Sequence, residues 1–314
     1  MTFGIMFHHF WDGKKKASVG AITSEQLEKI IFIYGLDNIL PAGEWFENAI
    51  NGSLKVNQVC MTFDDALRSQ IDLALPVLEK YGLTAFWFIY SSVFEGQASK
   101  FEIYRHFSTV EFNSFEQFFE AFILHFRQSE YEELLNSGKQ AFINSDYLKK
   151  YSFYSTKERE FRFFRDKILG RERFELLMEG MLAASEVSLE ELAKGLWMDN
   201  DDLVDLSKKE HIIGLHSYSH PTDLSALSYV DQHDEYEKNY RHIKKITGRR
   251  PRVVAHPVNS YEPQTLDLLD AMGVKVGFRS NMFKTDFSYL EYPREDCANV
   301  IRKFEADVIQ RGVS

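Results

Sequence analysis

The sequence has few cysteines, no long apolar run and no surplus of positive charge. Among its 314 residues, Cys60 and Cys297 are the two cysteines, and they lack the spacing of a metal or redox motif. We therefore expect buried thiols in a reducing compartment. No apolar run reaches about 18 residues, so no transmembrane segment is predicted. The formal net charge of -10 argues against a nucleic-acid partner.

The first residues also lack the basic region and apolar stretch of a secretory signal peptide. This absence predicts a cytoplasmic protein. Lys14 to Lys16 form a short basic patch, for which we expect a solvated loop. Neither internal repeats nor low-complexity segments are found.

Strand-like runs alternate with amphipathic helical segments at both ends of the chain, which is typical of a parallel α/β barrel. Glu25 to Tyr34 is predicted as a helix with Ser24 as its cap. Ser69 to Tyr81 is predicted as another helix, ending at Gly82. With 44% hydrophobic residues, the chain can bury the core of one large domain.

Between about residues 95 and 197 the pattern changes to helical spacing with many phenylalanines and little strand character. We predict a single barrel domain over residues 1–314 that is interrupted here by a helical insertion. A cap over the substrate pocket and a dimerisation module are two functional interpretations. The third is that the phenylalanines form the insertion's own core.

Two polar segments, each of which follows a short apolar run, contain the candidate metal-binding and catalytic residues. Thr62-Phe63-Asp64-Asp65 comes after one predicted strand, and His216-Ser217-Tyr218-Ser219-His220 after another. One carboxylate with two neutral imidazoles suits zinc, with cobalt, nickel, iron or manganese as alternatives, and leaves positions open for water and substrate. A second carboxylate can then accept a proton. The acidic pair alone also fits a solvated loop or a helix N-cap.

On these two motifs the chain resembles the polysaccharide deacetylases of the NodB-homology type, carbohydrate esterase family four. The resemblance implies a distorted (β/α)7-type barrel. It also implies that Asp64 is the catalytic base and that Asp65, His216 and His220 bind a divalent metal ion. The segment Gly82 to Ile89 looks like the family's second strand, and the opening residues Gly4 to Phe10 look like its first.

The chain departs from this family in its third, fourth and fifth motifs. The stretch from Val253 to Tyr261 lacks the usual Arg, and no His follows His256 to act as the general acid. His256 could protonate the leaving group or be a structural hydrogen-bonding residue. Tyr261 is assigned to substrate binding.

Four further residues are candidates for the same site. Arg294, beside Asp296, could replace the missing Arg or bind a substrate anion, and a surface salt bridge is the alternative for this pair. His8 and His9 could line the pocket or simply pack.

The resemblance implies a metal-dependent hydrolase that removes an N-acetyl group from an amino sugar. Without an export signal, we expect a small-molecule or lipid-linked cytoplasmic intermediate of surface polysaccharide synthesis as its substrate. The alternatives are a deformylase or cyclic-amide hydrolase on the same scaffold, or an inactive metal-containing glycan-binding protein. A homodimer formed through the insertion is also considered.

Overall fold

The chain forms two compact units. The structure, a computed structural model, describes residues 2–14, 17–97, 99–149, 154–283 and 287–311, without the side chains of 307–311. Lys15 and Lys16 of the basic patch lie outside the described residues. The barrel unit consists of Met1–Asp12, Ala21–Ser99 and Gly195–Ser314. The helical unit consists of Gly13–Gly20 and Lys100–Lys194, and the insertion predicted at about 95–197 falls on it.

The barrel unit is built on one sheet of seven strands. Their bounds are β1 Phe3–Phe7, β2 Val59–Asp64, β3 Phe86–Ile89, β4 Ile212–Leu215, β5 Val253–Ala255, β6 Val276–Phe278 and β7 Arg294–Asp296. All pairings are parallel, in the order β6-β5-β4-β3-β2-β1-β7. A parallel bridge between Phe278 and Tyr292 joins β6 to the segment before β7, so the barrel nearly closes. The predicted (β/α)7 barrel is confirmed.

The helices of both units, in chain order, are α1 Ser24–Tyr34, α2 Ala42–Ile50, α3 Leu75–Tyr81, α4 Lys100–Val110, α5 Phe115–Arg127, α6 Glu132–Ile143, α7 Thr156–Phe163, α8 Gly170–Ala184, α9 Leu189–Ala193, α10 Asn200–Lys208, α11 Tyr229–Thr247, α12 Pro263–Ala271 and α13 Cys297–Arg311. The cap of α1 is Thr23 rather than the predicted Ser24, because Thr23 and Gln26 form a reciprocal capping box. A π-helical turn, Gln70–Ala74, precedes α3, which ends at the left-handed Gly82.

The inside of the barrel is filled by alternate residues of its strands, as the two-residue period of a strand requires. Phe86 and Phe88 of β3 belong to an inner apolar cluster with Phe278 and with Trp45 of α2. Trp87 and Ile89 of β3 belong instead to the outer cluster, which packs beneath the helices. Gly214 of β4 is required by this packing, because a Cβ there would lie 2.6 Å from both Phe88 and Val253.

The helical unit has an aromatic core of its own. Phe122 is buried, and its ring centroid lies 5.0 Å from that of Phe161, 5.9 Å from Phe126 and 6.2 Å from Phe174. These contacts favour the interpretation in which the phenylalanines stabilise the insertion itself.

Both cysteines are free and buried, as expected, and burial raises the pKa of each thiol. Within the described ranges, the helices are either too short or too polar to cross a bilayer.

Candidate metal and catalytic site

The two polar motifs meet at the carboxyl end of the barrel. Asp64 is the last residue of β2, and His216 follows β4 directly. Because all seven strands are parallel, their carboxyl ends lie at the same edge of the sheet. There Asp65, His216 and His220 each offer a ligand atom, and these atoms lie within 4.8 Å of one another. We call these three residues the Asp-His cluster.

The Asp-His cluster fits a divalent cation. Oδ1 of Asp65 lies 3.5 Å from Nε2 of His216 and 3.5 Å from Nε2 of His220. Two ligands of a tetrahedral zinc ion, each about 2.0–2.2 Å from the metal, lie roughly 3.4 Å apart. The same Oδ1 atom is buried and has no hydrogen-bond partner among the described residues. A bound cation would satisfy this buried carboxylate oxygen, which lacks a hydrogen-bond partner in the part of the chain that the structure describes.

The backbone places both aspartates on one side. Adjacent residues of an extended chain point to opposite faces, but Asp65 and Ala66 have left-handed φ values of 75° and 54°. The Asp65 N–H donates to the Phe88 carbonyl oxygen (3.1 Å). As a result His216 Nε2 lies 4.0 Å from Asp64 Oδ2 and 3.5 Å from Asp65 Oδ1.

His216 is held by two buried contacts. Its Nδ1 is 2.7 Å from the carbonyl oxygen of Ala255, the last residue of β5, so Nδ1 carries the hydrogen and Nε2 is free to bind a metal. Asn239 of α11 accepts a hydrogen bond from the His216 N–H (2.9 Å) and donates one to the Ile89 carbonyl oxygen (3.0 Å). The sequence analysis missed Asn239. Its signal is a polar residue on the apolar face of α11, one turn before the buried Ile243.

Glu235 of α11 supports the loop between the two histidines. Its carboxylate accepts hydrogen bonds from the N–H groups of Tyr218 (3.0 Å) and Ser219 (2.8 Å) and from Ser219 Oγ (2.7 Å). Ser217 and His220 have left-handed φ values of 62° and 54°, so a tight loop rather than a helical turn joins His216 and His220. Such backbone conformations persist where surrounding contacts hold them.

Glu235→Gln is expected to weaken zinc binding by about 10–100-fold, because supporting contacts of this kind contribute that much to metal affinity. The neutral amide retains one acceptor oxygen and cannot replace three charge-assisted hydrogen bonds. Zinc affinity measured by competition with a chelator tests this, with Glu237→Gln on the same helix as the matched control. Equal affinity in both variants would show that the loop holds its shape without Glu235.

Asp64 is bound by Arg294, the first residue of β7. The guanidinium donates two parallel hydrogen bonds, from Nη1 to Oδ1 (2.7 Å) and from Nη2 to Oδ2 (2.8 Å). The side chains are 1% and 2% exposed, so the pair lies inside the barrel. Arg294 also donates to the Arg279 carbonyl oxygen (2.9 Å) and to Thr62 Oγ1 (3.3 Å). This bidentate geometry fixes the orientation of the carboxylate.

Opposing effects set the protonation of the site. Burial raises the pKa of Asp64, but the charges of Arg294, His216 and His8 more than offset it, so the pKa lies below its ordinary value. Burial likewise raises the pKa of Asp65, but contact with His216 and the charge of His220 outweigh this effect and hold the pKa well below its ordinary value. Both carboxylates are therefore ionised at neutral pH. Burial lowers the pKa of His220; it acts in the same direction on His216, but the charge of Asp64 and the contact with Asp65 raise the pKa of His216 above its ordinary value.

His8 also reaches this site. Its Nε2 lies 3.7 Å from Asp64 Oδ2 and 4.0 Å from Asp65 Oδ2, and its side chain is 32% exposed. Buried Gln70, which the sequence analysis missed, donates to the backbone oxygens of His8 and Asp64, both at 2.7 Å, and so ties the ends of β1 and β2 together. The ring of His9 stacks at 6.4 Å from that of His8.

Asp296 ends β7, and its proposed contact with substrate stays a prediction. Its Oδ1 accepts a hydrogen bond from the Ala298 N–H (2.8 Å) at the start of α13. Burial raises its pKa, an effect that the charge of His8 partly offsets.

The structure argues against His256 as the general acid. The residue is fully buried, and its Nε2 is 2.8 Å from the Leu290 carbonyl oxygen. Burial lowers its pKa to about 4, so the ring holds no acidic proton at neutral pH. Its ring stacks on Tyr261 at 4.1 Å, and the Tyr261 hydroxyl donates to Glu291 (2.8 Å). Both side chains therefore connect loops of the barrel, which for His256 is the structural alternative, whereas substrate binding by Tyr261 stays a prediction.

Fold and site together define a parallel α/β barrel with an aspartate–histidine cluster and a buried Asp-Arg pair at the carboxyl ends of its strands. Comparison with known proteins shows a family resemblance over part of the chain. The sequence profile described as polysaccharide deacetylase matches residues 182–277, which include His216 and His220. The resemblance to this family is therefore confirmed. No curated protein has a significant sequence match to the chain.

Solved structures similar to this chain share its fold over nearly the whole length. The Streptococcus pyogenes deacetylase PplD in complex with acetate has a TM-score of 0.55 at 13% identity, with 96% of each chain covered. IcaB from Ammonifex degensii has a TM-score of 0.53 at 12% identity, covering 96% of this chain and 95% of its own. A de-N-acetylase from Aggregatibacter actinomycetemcomitans has a TM-score of 0.55 at 11% identity, with 96% of this chain and 99% of the de-N-acetylase chain covered.

Proposed function

We propose that the protein is a metal-dependent hydrolase that removes an N-acetyl group from an amino sugar of a polysaccharide or its precursor. The observation that supports this is the position of Asp64 beside the Asp-His cluster, where two hydrogen bonds from Arg294 hold its carboxylate. The family match to polysaccharide deacetylases and the acetate complex of PplD point to the same chemistry. The cytoplasmic setting and a lipid-linked substrate stay predictions.

Each residue has a distinct part in the proposed reaction. Asp64 accepts the proton of the attacking water and passes it to the leaving nitrogen as the C–N bond breaks, and Arg294 holds its carboxylate in one orientation. Asp65, His216 and His220 would hold the ion, for which zinc suits this ligand set. A divalent ion bound there supplies Lewis-acid stabilisation of the oxyanion. His8 is proposed to contact the substrate, since it is partly exposed beside both carboxylates.

Acetate release tests the proposal. We expect the zinc-loaded protein to release acetate from N-acetylglucosamine oligomers or from nucleotide-linked N-acetyl sugars. The activity should be lost on chelation and restored by zinc. His216→Ala should neither bind zinc tightly nor release acetate, because it removes one of the proposed ligands, and its thermal unfolding would verify that it is folded.

Two other results would replace this proposal. Release of formate in place of acetate would identify a deformylase on the same scaffold. Tight zinc binding without any product from the whole panel would identify a glycan-binding protein.

A further inference from the structure

A cavity of about 160 Å³ lies at the opposite end of the barrel from the Asp-His cluster. It is formed at the amino ends of β4 and β5, where α10 and α11 end. No step of the proposed reaction uses it. The apolar part of its wall is formed by Ile212 and Val253, the first residues of β4 and β5, together with Phe46 of α2 and Ile243 of α11.

The other side of this cavity is strongly basic. Arg249, Arg250 and Arg252 all line it and lie within four residues of one another, in the segment between α11 and β5. The guanidinium of Arg252 lies 4.9 Å from the centre of the Phe46 ring. In the described part of the chain, none of the three arginines makes an ion pair with a carboxylate. In a protein of formal net charge -10, this is a local concentration of uncompensated positive charge.

A buried histidine adds a neutral donor. His211 lines the cavity and is 3% exposed. Its Nδ1 accepts the Ala85 N–H (2.9 Å), so Nε2 carries the hydrogen of the neutral ring. Burial lowers its pKa to about 4, which keeps the ring neutral at physiological pH. Hydrogen-bond donors beside arginines, above an apolar wall, match an anionic group attached to an apolar one.

We propose that this cavity binds a small amphiphilic anion: a phosphate or carboxylate group carried by an apolar body about the size of one aromatic ring. The size follows from the volume, because an apolar cavity of about 150 Å³ holds a benzene molecule. The arginines bind the anionic group by charge-assisted hydrogen bonds, and the wall formed by Phe46, Ile212 and Val253 receives the apolar body.

The arginines also have a structural alternative. Cations near the carboxyl ends of helices are stabilising, and α10 and α11 both end here. That role requires no ligand. Binding and stability therefore have to be measured on the same variants.

Isothermal titration calorimetry with phenyl phosphate and benzoate tests the proposal, with inorganic phosphate and phenol as the separate halves of the ligand. At least one intact probe should bind the wild type about tenfold or more tightly than either half, and the tighter probe identifies the anionic group. The double substitution Arg249→Gln/Arg250→Gln should weaken that binding at least about tenfold. Arg241→Gln on the exposed face of α11 is the matched control and should bind as the wild type does.

His216→Ala should bind the same probe as tightly as the wild type, which separates this cavity from the Asp-His cluster and from the proposed function. Several outcomes overturn the proposal. These are no binding of either intact probe, equal binding by the double variant, or inorganic phosphate or phenol binding as tightly as the tighter of the two intact probes. Loss of thermal stability without loss of binding in the double variant would assign the arginines to the helix ends.

Discussion

Asp64→Asn is expected to reduce kcat by roughly 10²–10⁴-fold, the usual contribution of a general base, while zinc stays bound at Asp65, His216 and His220. Asparagine has the shape of aspartate but cannot accept the proton of the attacking water. It retains one acceptor oxygen for Arg294, whose guanidinium also donates to Thr62 and to Arg279.

Zinc content and acetate release measured on the same Asp64→Asn sample test this expectation. Thermal unfolding must accompany them, because the substitution leaves Arg294 buried without a counter-charge. A folded, zinc-containing and inactive variant is the expected combination. Full activity in Asp64→Asn would remove Asp64 from the mechanism.

Arg294→Met is expected to lower the free energy of unfolding by roughly 3–5 kcal/mol, because breaking a buried ion pair leaves one charge uncompensated. Asp64 would then lie inside the barrel, 2% exposed, without the bidentate contact that offsets its burial. Urea unfolding measures the change. The control is Arg241→Met, which breaks an ion pair with Glu237 whose arginine is 76% exposed and should change stability by less than about 1 kcal/mol.

The stability and the activity of the same Arg294→Met variant should depend on pH differently from those of the wild type. Because Arg294 helps to hold the pKa of Asp64 below its ordinary value, the pair's stabilisation is present above about pH 4 and is lost as pH falls further. Without the charge of Arg294, less of the effect of burial is offset, and the pKa of Asp64 rises. The acidic limb of the activity profile is therefore expected to move to higher pH. A profile with the wild-type acidic limb would show that Arg294 does not govern the protonation of Asp64.

The Asp-His cluster could be predicted from the sequence because each of its two segments is a local motif. Asp64-Asp65 and His216 to His220 each follow a short apolar run, and parallel strands bring such positions to one edge. The sequence did not reveal that Asp64 and Asp65 lie on one side, since the left-handed φ of Asp65 is a backbone feature that the residue type does not show.

The Asp64–Arg294 pair, by contrast, depends on a contact between residues of different strands. Arg294 was a candidate, but its partner could not be chosen, because only the position of β7 beside β1 brings it to Asp64. His256 follows a strand as His216 does, yet it is enclosed and bonded to Leu290. A position at a strand end does not say whether a side chain faces the open end of the barrel or the packed loops beside it.

The supporting residues were missed for a related reason. Glu235 and Asn239 lie on α11, outside either motif, and act on the histidine segment by hydrogen bonds to its backbone. A backbone N–H leaves no trace in the sequence of the segment that carries it. For Asn239 the available sign was a polar residue among the buried positions of an amphipathic helix.

The Asp64–Arg294 pair joins residues 230 positions apart in the chain. At about 5–20 residues per second, ribosomal synthesis separates the appearance of these two residues by roughly 10–50 s. During that interval the carboxylate has no arginine to accompany it into the barrel, and its burial alone would be unfavourable. The interior around β2 should therefore stay hydrated on the nascent chain until β7 has been made and docks against β1.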